Sequence, residues 1–194
     1  MTDKLELDPG RTALLIMDYQ VDIVARLGDA HPHLLERVGA VLDAARRAGM
    51  RVVYVAVGFR PGYPEISARN QTFAPVVSTG AFLAGPGAKI HASVAPLPDE
   101  VVVQKHRVSA FFGTDLDMIL RANGIETLVL CGIATSGVVL STLRYAADSD
   151  YRVVVIEDGC ADADPAVHRS LIDKVFPRQA RVVQATDFAE ALTP

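Results

Sequence analysis

Residues 127–162 read TLVLCGIATSGVVLSTLRYAADSDYRVVVIEDGCAD, and this stretch decides the fold class. It starts with a continuous apolar run at 127–131 and ends with a second one at 152–156. Between the two runs, apolar residues recur at helical spacing from Val139 to Ala147. Two continuously apolar strands joined through a helix indicate a βαβ unit, whose strands run parallel and are covered by helices on both faces.

The same alternation extends in both directions along the chain. Further strands are predicted at 12–17, 51–57, 101–104 and 181–184, and further helices at 34–45, 116–120, from Pro165 onward and at 186–192. From Gly58 to Asp99 the periodicity breaks down among prolines and glycines, which is typical of a binding loop or contact segment. We therefore predict a single α/β domain over residues 1–194. Its expected architecture is three-layer αβα, with a doubly wound sheet of six parallel strands.

Composition excludes several classes of function. The net charge of −4 provides no basic surface for nucleic acid or an anionic membrane. No apolar run approaches the roughly 20 residues that span a bilayer, and the first 15 residues have no apolar signal-peptide core. Two cysteines, Cys131 and Cys160, are too few for a disulfide framework and favour free thiols in the cytoplasm. No histidine or cysteine pair has zinc-site spacing, so we expect no metal and no other cofactor.

Charged residues follow two of the predicted strands, where open parallel sheets bind their ligands. Asp18 ends the first strand and Lys105 ends the third. A lysine favours the ionised form of a neighbouring carboxyl group, whereas burial opposes it, and this balance suits a general acid or base. We therefore predict that Asp18 and Lys105 form a catalytic pair.

The turn after the fourth strand is a second candidate. Gly132 permits a tight exit from the strand, and Thr135 or Ser136 can cap the following helix. The free N–H groups at such a helix start can hold an oxyanion or a carboxylate. Asp158 and Asp162 mark the end of the fifth strand, at the same edge of the sheet.

Together these stretches resemble the isochorismatase-like hydrolases, also called the cysteine hydrolase superfamily. The matching parts are TALLIMDYQ at 12–20, the run 101–162 that contains Lys105, and the pattern Gly-x-x-Thr-x-x-x-Val-x-x-Thr at 132–142. The resemblance covers most of the chain. It implies a six-stranded parallel sheet between helices, a homodimer or higher homo-oligomer, and a non-proline cis peptide at Ile133–Ala134.

The catalytic set that the resemblance implies is an Asp, a Lys and a Cys. The first two fall on Asp18 and Lys105, but the cysteine position falls on Val138. Because valine cannot be a nucleophile, the thioester chemistry of the amide-hydrolysing branch lacks its residue. We expect both cysteines to be buried and inert. Ser136 lies two positions early, about 200° around the helix from Val138.

A second branch of the family, the isochorismatases and a related phenazine-pathway enzyme, cleaves a vinyl ether without a cysteine. There the Asp protonates the enol-ether methylene group, and water traps the resulting cation. We accordingly predict a cysteine-independent hydrolase for a small, anionic metabolite, with vinyl-ether hydrolysis favoured. Residues 58–69 contain no histidine, so the zinc site of the nicotinamidases is not expected. The predicted substrate-binding residues are Gln20, Arg60, Arg69, Phe111, Ile133, Ala134, Thr135 and Ser136.

Two other hypotheses remain open. In the first, the chain is a binding protein that lost catalysis when it lost the cysteine. In the second, it is an amide hydrolase whose nucleophile lies at another position. Replacing Asp18 with Asn separates the first hypothesis from an active hydrolase, because only an enzyme would lose turnover. Thiol alkylation separates the second, because only a thiol nucleophile would be blocked.

Overall fold

The architecture is a six-stranded sheet with helices on both faces, in a computed structural model that describes residues 5–193. The strand order is β3-β2-β1-β4-β5-β6, and every neighbouring pair is parallel. The strands are β1 (Thr12–Met17), β2 (Arg51–Val57), β3 (Val101–Lys105), β4 (Thr127–Ile133), β5 (Arg152–Ala161) and β6 (Arg181–Val183). The fold class predicted from the alternation of apolar runs is confirmed.

Seven α-helices connect and cover these strands within the described range. They are α1 (Val21–Arg26), α2 (Leu34–Arg47), α3 (Ala74–Thr79), α4 (Leu116–Ala122), α5 (Leu140–Asp148), α6 (Pro165–Ser170) and α7 (Ala185–Ala191). Single turns of 3₁₀-helix occur at Pro9–Arg11, Gly28–Ala30, Pro86–Ala88, Ala92–Val94 and Phe176–Arg178, and π-helical turns at Thr135–Val139 and Leu171–Val175. Helices α2 and α7 pack on one face of the sheet, and α4 and α5 pack on the other.

Burial on both faces explains why the strands are continuously apolar. In β1, Leu14 and Ile16 contact the core beneath α2 and α7, whereas Ala13, Leu15 and Met17 contact the core beneath α4 and α5. All six residues of β1 are buried. Successive side chains of a strand point to opposite faces, so a strand covered on both sides has no position for an exposed polar residue.

Strands β4 and β5 extend further than their apolar runs predict. Their pairing shifts register between Leu130 and Gly132, and then resumes with Gly132 opposite Cys160 and Ile133 opposite Ala161. Polar residues within β5 made the strand seem to end near position 156. The segment 58–99 is also more ordered than its composition suggests, because it contains α3 and two 3₁₀ turns.

Within residues 5–193, no helix combines the length and apolar character needed to cross a membrane. The prediction that the chain has no signal peptide concerns its first 15 residues. Residues 1–4 of that stretch lie outside the described range.

Candidate active site

The order of the strands places one crevice at the end of β1. The chain runs outward from β1 through β2 to β3 and then crosses to β4, on the other side of β1. The carboxyl ends of β1 and β4 therefore flank the point where the winding reverses, which is where open α/β sheets bind ligands. Asp18 follows β1 directly, and the turn 133–139 follows β4.

Asp18 and Lys105 form a buried ion pair at this edge. The Lys105 ammonium group lies 2.9 Å from Oδ2 of Asp18, and the backbone N–H of Val57 donates to Oδ1 at 3.1 Å. Asp18 is 5% exposed and Lys105 is 2% exposed. Lys105 is the last residue of β3, two strands away from β1, so its long side chain reaches across the end of β2 to meet the carboxylate. The structure thus brings the two predicted catalytic residues together.

The environment of Asp18 acts on the pKa of its carboxyl group in two opposite directions, of which burial is the stronger. Desolvation by burial raises the pKa of this carboxyl group, while Lys105 and the Val57 N–H act in the opposite direction. Asp18 also has a φ of 63°, in the left-handed region, and its N–H donates to Val55 O at 2.8 Å. Aspartate is one of the few residues that enter this region, and such conformations concentrate at functional sites.

Two neighbouring residues hold the pair in place. The Lys105 ammonium group also donates to the carbonyl oxygen of Arg107 at 3.1 Å. The Gln20 amide donates to the carbonyl groups of Val57 and Ala88, each at 2.9 Å, and accepts from the Val57 N–H at 2.9 Å. Gln20 is buried and its amide is fully engaged, so the structure places it as a support of β2 rather than as a free substrate contact.

The turn after β4 contains the cis peptide that the resemblance implies, at Ile133–Ala134. The π-helical turn that follows is held by two residues outside it, Asp162 and His168. Asp162 Oδ2 accepts from the Ser136 N–H at 2.7 Å, and Thr135 Oγ1 bonds His168 Nδ1 at 2.8 Å. The expected capping by Thr135 or Ser136 is therefore wrong, since the N-terminus of this turn has no side-chain cap within it.

Val138 is buried at the start of this helical segment, 2% exposed. It packs tightly beside Gly132. A β-carbon at Gly132 would lie 3.2 Å from Cγ1 of Val138, 2.9 Å from Cγ2 of Val139 and 3.3 Å from Cβ of Met17. The position that the resemblance assigns to the cysteine therefore lies close to Met17. Met17 is the last residue of β1 and directly precedes Asp18 in the chain.

Three other predicted site residues, Phe111, Arg60 and Arg69, differ in burial and in their partners. Phe111 is buried in the core beneath α5, where its ring stacks on Tyr145 with centroids 4.4 Å apart. Its contact with a substrate stays a prediction. Arg60 pairs with Glu65, and both Arg60 and Arg69 are exposed. Within residues 5–193, neither arginine bonds to Asp18 or Lys105.

Both thiols are buried and free. Cys131 is 0% exposed and Cys160 is 3% exposed. Burial raises the pKa of Cys160 to about 12 and that of Cys131 well above its usual value. A neutral, inaccessible thiol is a poor nucleophile. Within residues 5–193, no three His, Cys, Asp or Glu side chains are grouped so that they could hold a metal ion.

Sequence reasoning missed Arg107 and His168 as parts of this site. Arg107 contributes only its backbone carbonyl group, and the amino-acid sequence gives no signal for such a contact. His168 lies in α6, 33 residues after Thr135 in the chain. The two residues meet because β5, which precedes α6, pairs with β4, which precedes Thr135. Asp162 was marked only as a strand-end acid, although its carboxylate fixes the turn.

Comparison with known proteins agrees with this geometry. The family model described as the isochorismatase domain matches residues 12–187. The chain belongs to the isochorismatase family. It is 33% identical over 190 residues to YecD, an isochorismatase family protein of Escherichia coli O157:H7, with 97% of this chain and 100% of YecD covered. The predicted family is thereby confirmed.

Other members of the isochorismatase family extend this comparison. The ureidoacrylate amidohydrolase RutB of Stutzerimonas stutzeri is 32% identical over 185 residues, with 84% of this chain and 75% of RutB covered. Among solved structures, an isochorismatase family protein of Burkholderia thailandensis superposes with a TM-score of 0.82 at 27% identity, covering 96% of this chain and 97% of that one. The chain is a hydrolase of this family.

Proposed function

We propose that this hydrolase cleaves the vinyl ether of a small anionic metabolite of the isochorismate type, with Asp18 as general acid and without a cysteine nucleophile. The observation that carries this proposal is the buried Asp18 carboxyl group, whose pKa is raised by desolvation. Protonation of carbon needs a carboxyl group that keeps its proton to a higher pH than a solvated one does, and burial is the usual way in which proteins obtain such a group.

In the proposed reaction the Asp18 proton transfers to the methylene carbon of the enol ether. The C=C electron pair forms the new C–H bond, which leaves a cation shared between the adjacent carbon and the ether oxygen. Water adds to that carbon and returns a proton to the Asp18 carboxylate. The hemiketal hydroxyl group then loses its proton and forms the ketone of pyruvate, while the bond to the ether oxygen breaks and that oxygen takes up a proton to become the ring alcohol.

Lys105 has two roles in this proposal. Its ammonium group stabilises the Asp18 carboxylate after the proton has left, since the two groups are 2.9 Å apart. Within residues 5–193, Asp18 and the Arg107 carbonyl group are its hydrogen-bond partners. An ammonium group has three donors, so one remains to bind a substrate carboxylate.

Two features support a route without a thiol. The position of the family cysteine, as the resemblance assigns it, holds Val138, and the two cysteines of the chain are buried with raised pKa values.

One observation favours a second candidate function. RutB, which is 32% identical, is named as an amidohydrolase that acts on ureidoacrylate. An amide hydrolase on this chain would need a nucleophile other than residue 138. The thiols at Cys131 and Cys160 would have to become exposed and ionised to serve, and burial opposes both changes.

The test is a substrate panel with the purified protein. We expect pyruvate release from isochorismate and no ammonia release from ureidoacrylate or other small amides. Asp18→Asn should lower pyruvate release at least about a hundredfold, the usual scale for loss of a general acid. Asp148→Asn, which alters an exposed acid at the end of α5, is the matched control and should retain full activity.

The other outcomes identify the competing hypotheses. Ammonia release that thiol alkylation abolishes would overturn the proposal in favour of an amide hydrolase. If the protein binds isochorismate but turns over neither class of substrate, it is a binding protein and the proposal is wrong.

A further inference from the structure

A second concave region lies between the start of α2 and the end of β5. It is a cleft of about 230 Å³, formed where residues 30–37 approach β5 and α6. Neither Asp18 nor Lys105 lines it, but His168, which bonds Thr135 in the turn after β4, does. Pockets for drug-sized ligands span roughly 300–1,000 Å³, so this cleft fits a smaller metabolite.

The carboxylates that line the cleft are already engaged by hydrogen-bond donors. Glu157 accepts from Arg169 through Oε1 and from Gln184 Nε2 at 2.8 Å through Oε2. Oδ1 of Asp158 accepts from the backbone N–H of Ala185 at 2.8 Å. These acids therefore offer little to a cation.

Two side chains that line the cleft keep N–H groups that bond to nothing else within residues 5–193. Arg37 forms an ion pair with Asp158 through Nε, which lies 3.6 Å from Oδ2, so the two terminal nitrogens of its 49% exposed side chain remain available as donors. His168 uses its Nδ1 for the bond to Thr135, and no residue in the range 5–193 bonds to the opposite ring nitrogen, Nε2. The terminal nitrogens of Arg37 and Nε2 of His168 are therefore the donors that this cleft offers to a ligand.

We propose that this cleft binds a small oxyanion, a carboxylate or a phosphate group, between the Arg37 guanidinium group and Nε2 of His168. The planar guanidinium fork matches the geometry of both groups and can donate to two of their oxygen atoms. The ring of His168, which belongs to α6 and also lines the cleft, completes the contact.

Binding at this cleft would also act on the turn beside the candidate active site. His168 must carry hydrogen on Nε2 to donate to the anion. Burial, followed by the charge of Arg169, lowers the pKa of His168, so the ring is neutral near pH 7. A neutral ring that is protonated on Nε2 accepts the Thr135 hydroxyl hydrogen on Nδ1. The anion therefore fixes the direction of this hydrogen bond.

The test measures the His168 ring without any substrate, so its result does not depend on the proposed reaction. Inorganic phosphate and, separately, acetate are titrated into ¹⁵N-labelled protein at pH 7.5 and constant ionic strength. The imidazole nitrogens are followed by long-range ¹H–¹⁵N NMR, and His168→Gln identifies the signals. We expect a saturable shift of the His168 signals toward the Nε2–H tautomer. Saturation by phosphate alone assigns a phosphate ligand, and saturation by acetate alone assigns a carboxylate.

The control pair removes one positive charge from the same helix. Arg37→Met should weaken the binding about tenfold or more, as expected for a lost hydrogen bond between charged groups. Arg47→Met alters an exposed arginine of α2 that does not line the cleft, and should leave the binding unchanged. Absence of saturation with both anions would overturn the proposal. Equal weakening in the two variants would also overturn it, because that result indicates non-specific attraction.

Discussion

At the scale of single residues, the account depends on an ion pair that is costly to bury. A carboxylate and an ammonium group that are both about 95% buried have lost most of their hydration. Their mutual attraction and the bonds from Val57 and to Arg107 offset part of this cost. Such a pair is weak evidence for stability, and its retention in a crevice is better explained by chemistry.

Removing one member of the pair should therefore cost more than removing both. Lys105→Met is expected to lower the free energy of unfolding by about 3–5 kcal/mol at neutral pH, because it leaves Asp18 buried without its cation. The double variant Asp18→Asn/Lys105→Met should recover much of that loss. Urea denaturation measures each value, and Lys89→Met, at an exposed lysine, should change stability by less than about 0.5 kcal/mol.

The same variants predict a pH dependence. Burial raises the pKa of Asp18, and Lys105→Met removes the charge that lowers it. A carboxyl group with a raised pKa contributes stability that is fully present below its unfolded pKa of about 3.9 and is lost as pH rises through the folded pKa. The deficit of Lys105→Met should therefore be larger at pH 8 than at pH 5. Equal deficits at both pH values would contradict the assigned environment of Asp18.

At the scale of elements, the exit from β4 is the most constrained part of the site. Gly132→Ala would place a methyl group 2.9 Å from Val139 and 3.2 Å from Val138. We expect a loss of about 1–3 kcal/mol in the free energy of unfolding, typical of overpacking, together with lower activity. The control is Gly39→Ala, inside α2, where the added β-carbon would lie 4.0 Å from its nearest atom. We expect this substitution to stabilise the protein by about 0.5–1 kcal/mol. If Gly132→Ala changes neither the free energy of unfolding nor the activity, the turn can move and the predicted constraint is wrong.

The sequence predicted the sheet and the catalytic pair for the same physical reason. Strands buried on both faces are continuously apolar, so the first charge after each run marks a strand end, as it does at Asp18 and Lys105. That rule failed in β5, where Glu157 and Asp158 lie inside the strand. Their carboxylates accept hydrogen bonds from donors near the end of α6 and the start of α7. It could not find His168, because the contact with Thr135 depends on how α6 packs.

Aromatic residues show a second limit of sequence reasoning. Phe111 and Phe112 are neighbours after β3, and composition does not distinguish them. Phe111 is buried and stacks on Tyr145, which lies 34 residues later in the chain, whereas Phe112 is 65% exposed. Tertiary packing of this kind overrides any local pattern.

At the scale of the whole molecule, the fold separates its thiols from solvent. Cys131 and Cys160 lie in neighbouring strands with helices above and below the sheet. We expect neither to react with a disulfide reagent in the native protein, and both to react after denaturation in guanidinium. Release of the chromophore is followed by absorbance. Rapid reaction of either thiol in the native protein would contradict the burial and would reopen the amide-hydrolase hypothesis.

The whole sheet also accounts for where chemistry can occur. Two halves wind in opposite directions from β1, so the reversal leaves one crevice between β1 and β4. Asp18, the cis peptide and Val138 all lie at that point. Assembly into a homodimer or larger oligomer stays a prediction of the family resemblance, and sedimentation equilibrium would measure it.

The central claim is that Asp18 carries the reaction and that no thiol is needed. The most direct test is the single-turnover rate of pyruvate release from isochorismate by the thiol-free variant Cys131→Ala/Cys160→Ala, compared with Asp18→Asn. The account predicts a rate close to that of the unaltered protein for the thiol-free variant, and a loss of at least about a hundredfold for Asp18→Asn. A thiol-free variant that folds but releases no pyruvate, or an Asp18→Asn variant that retains the full rate, would contradict it.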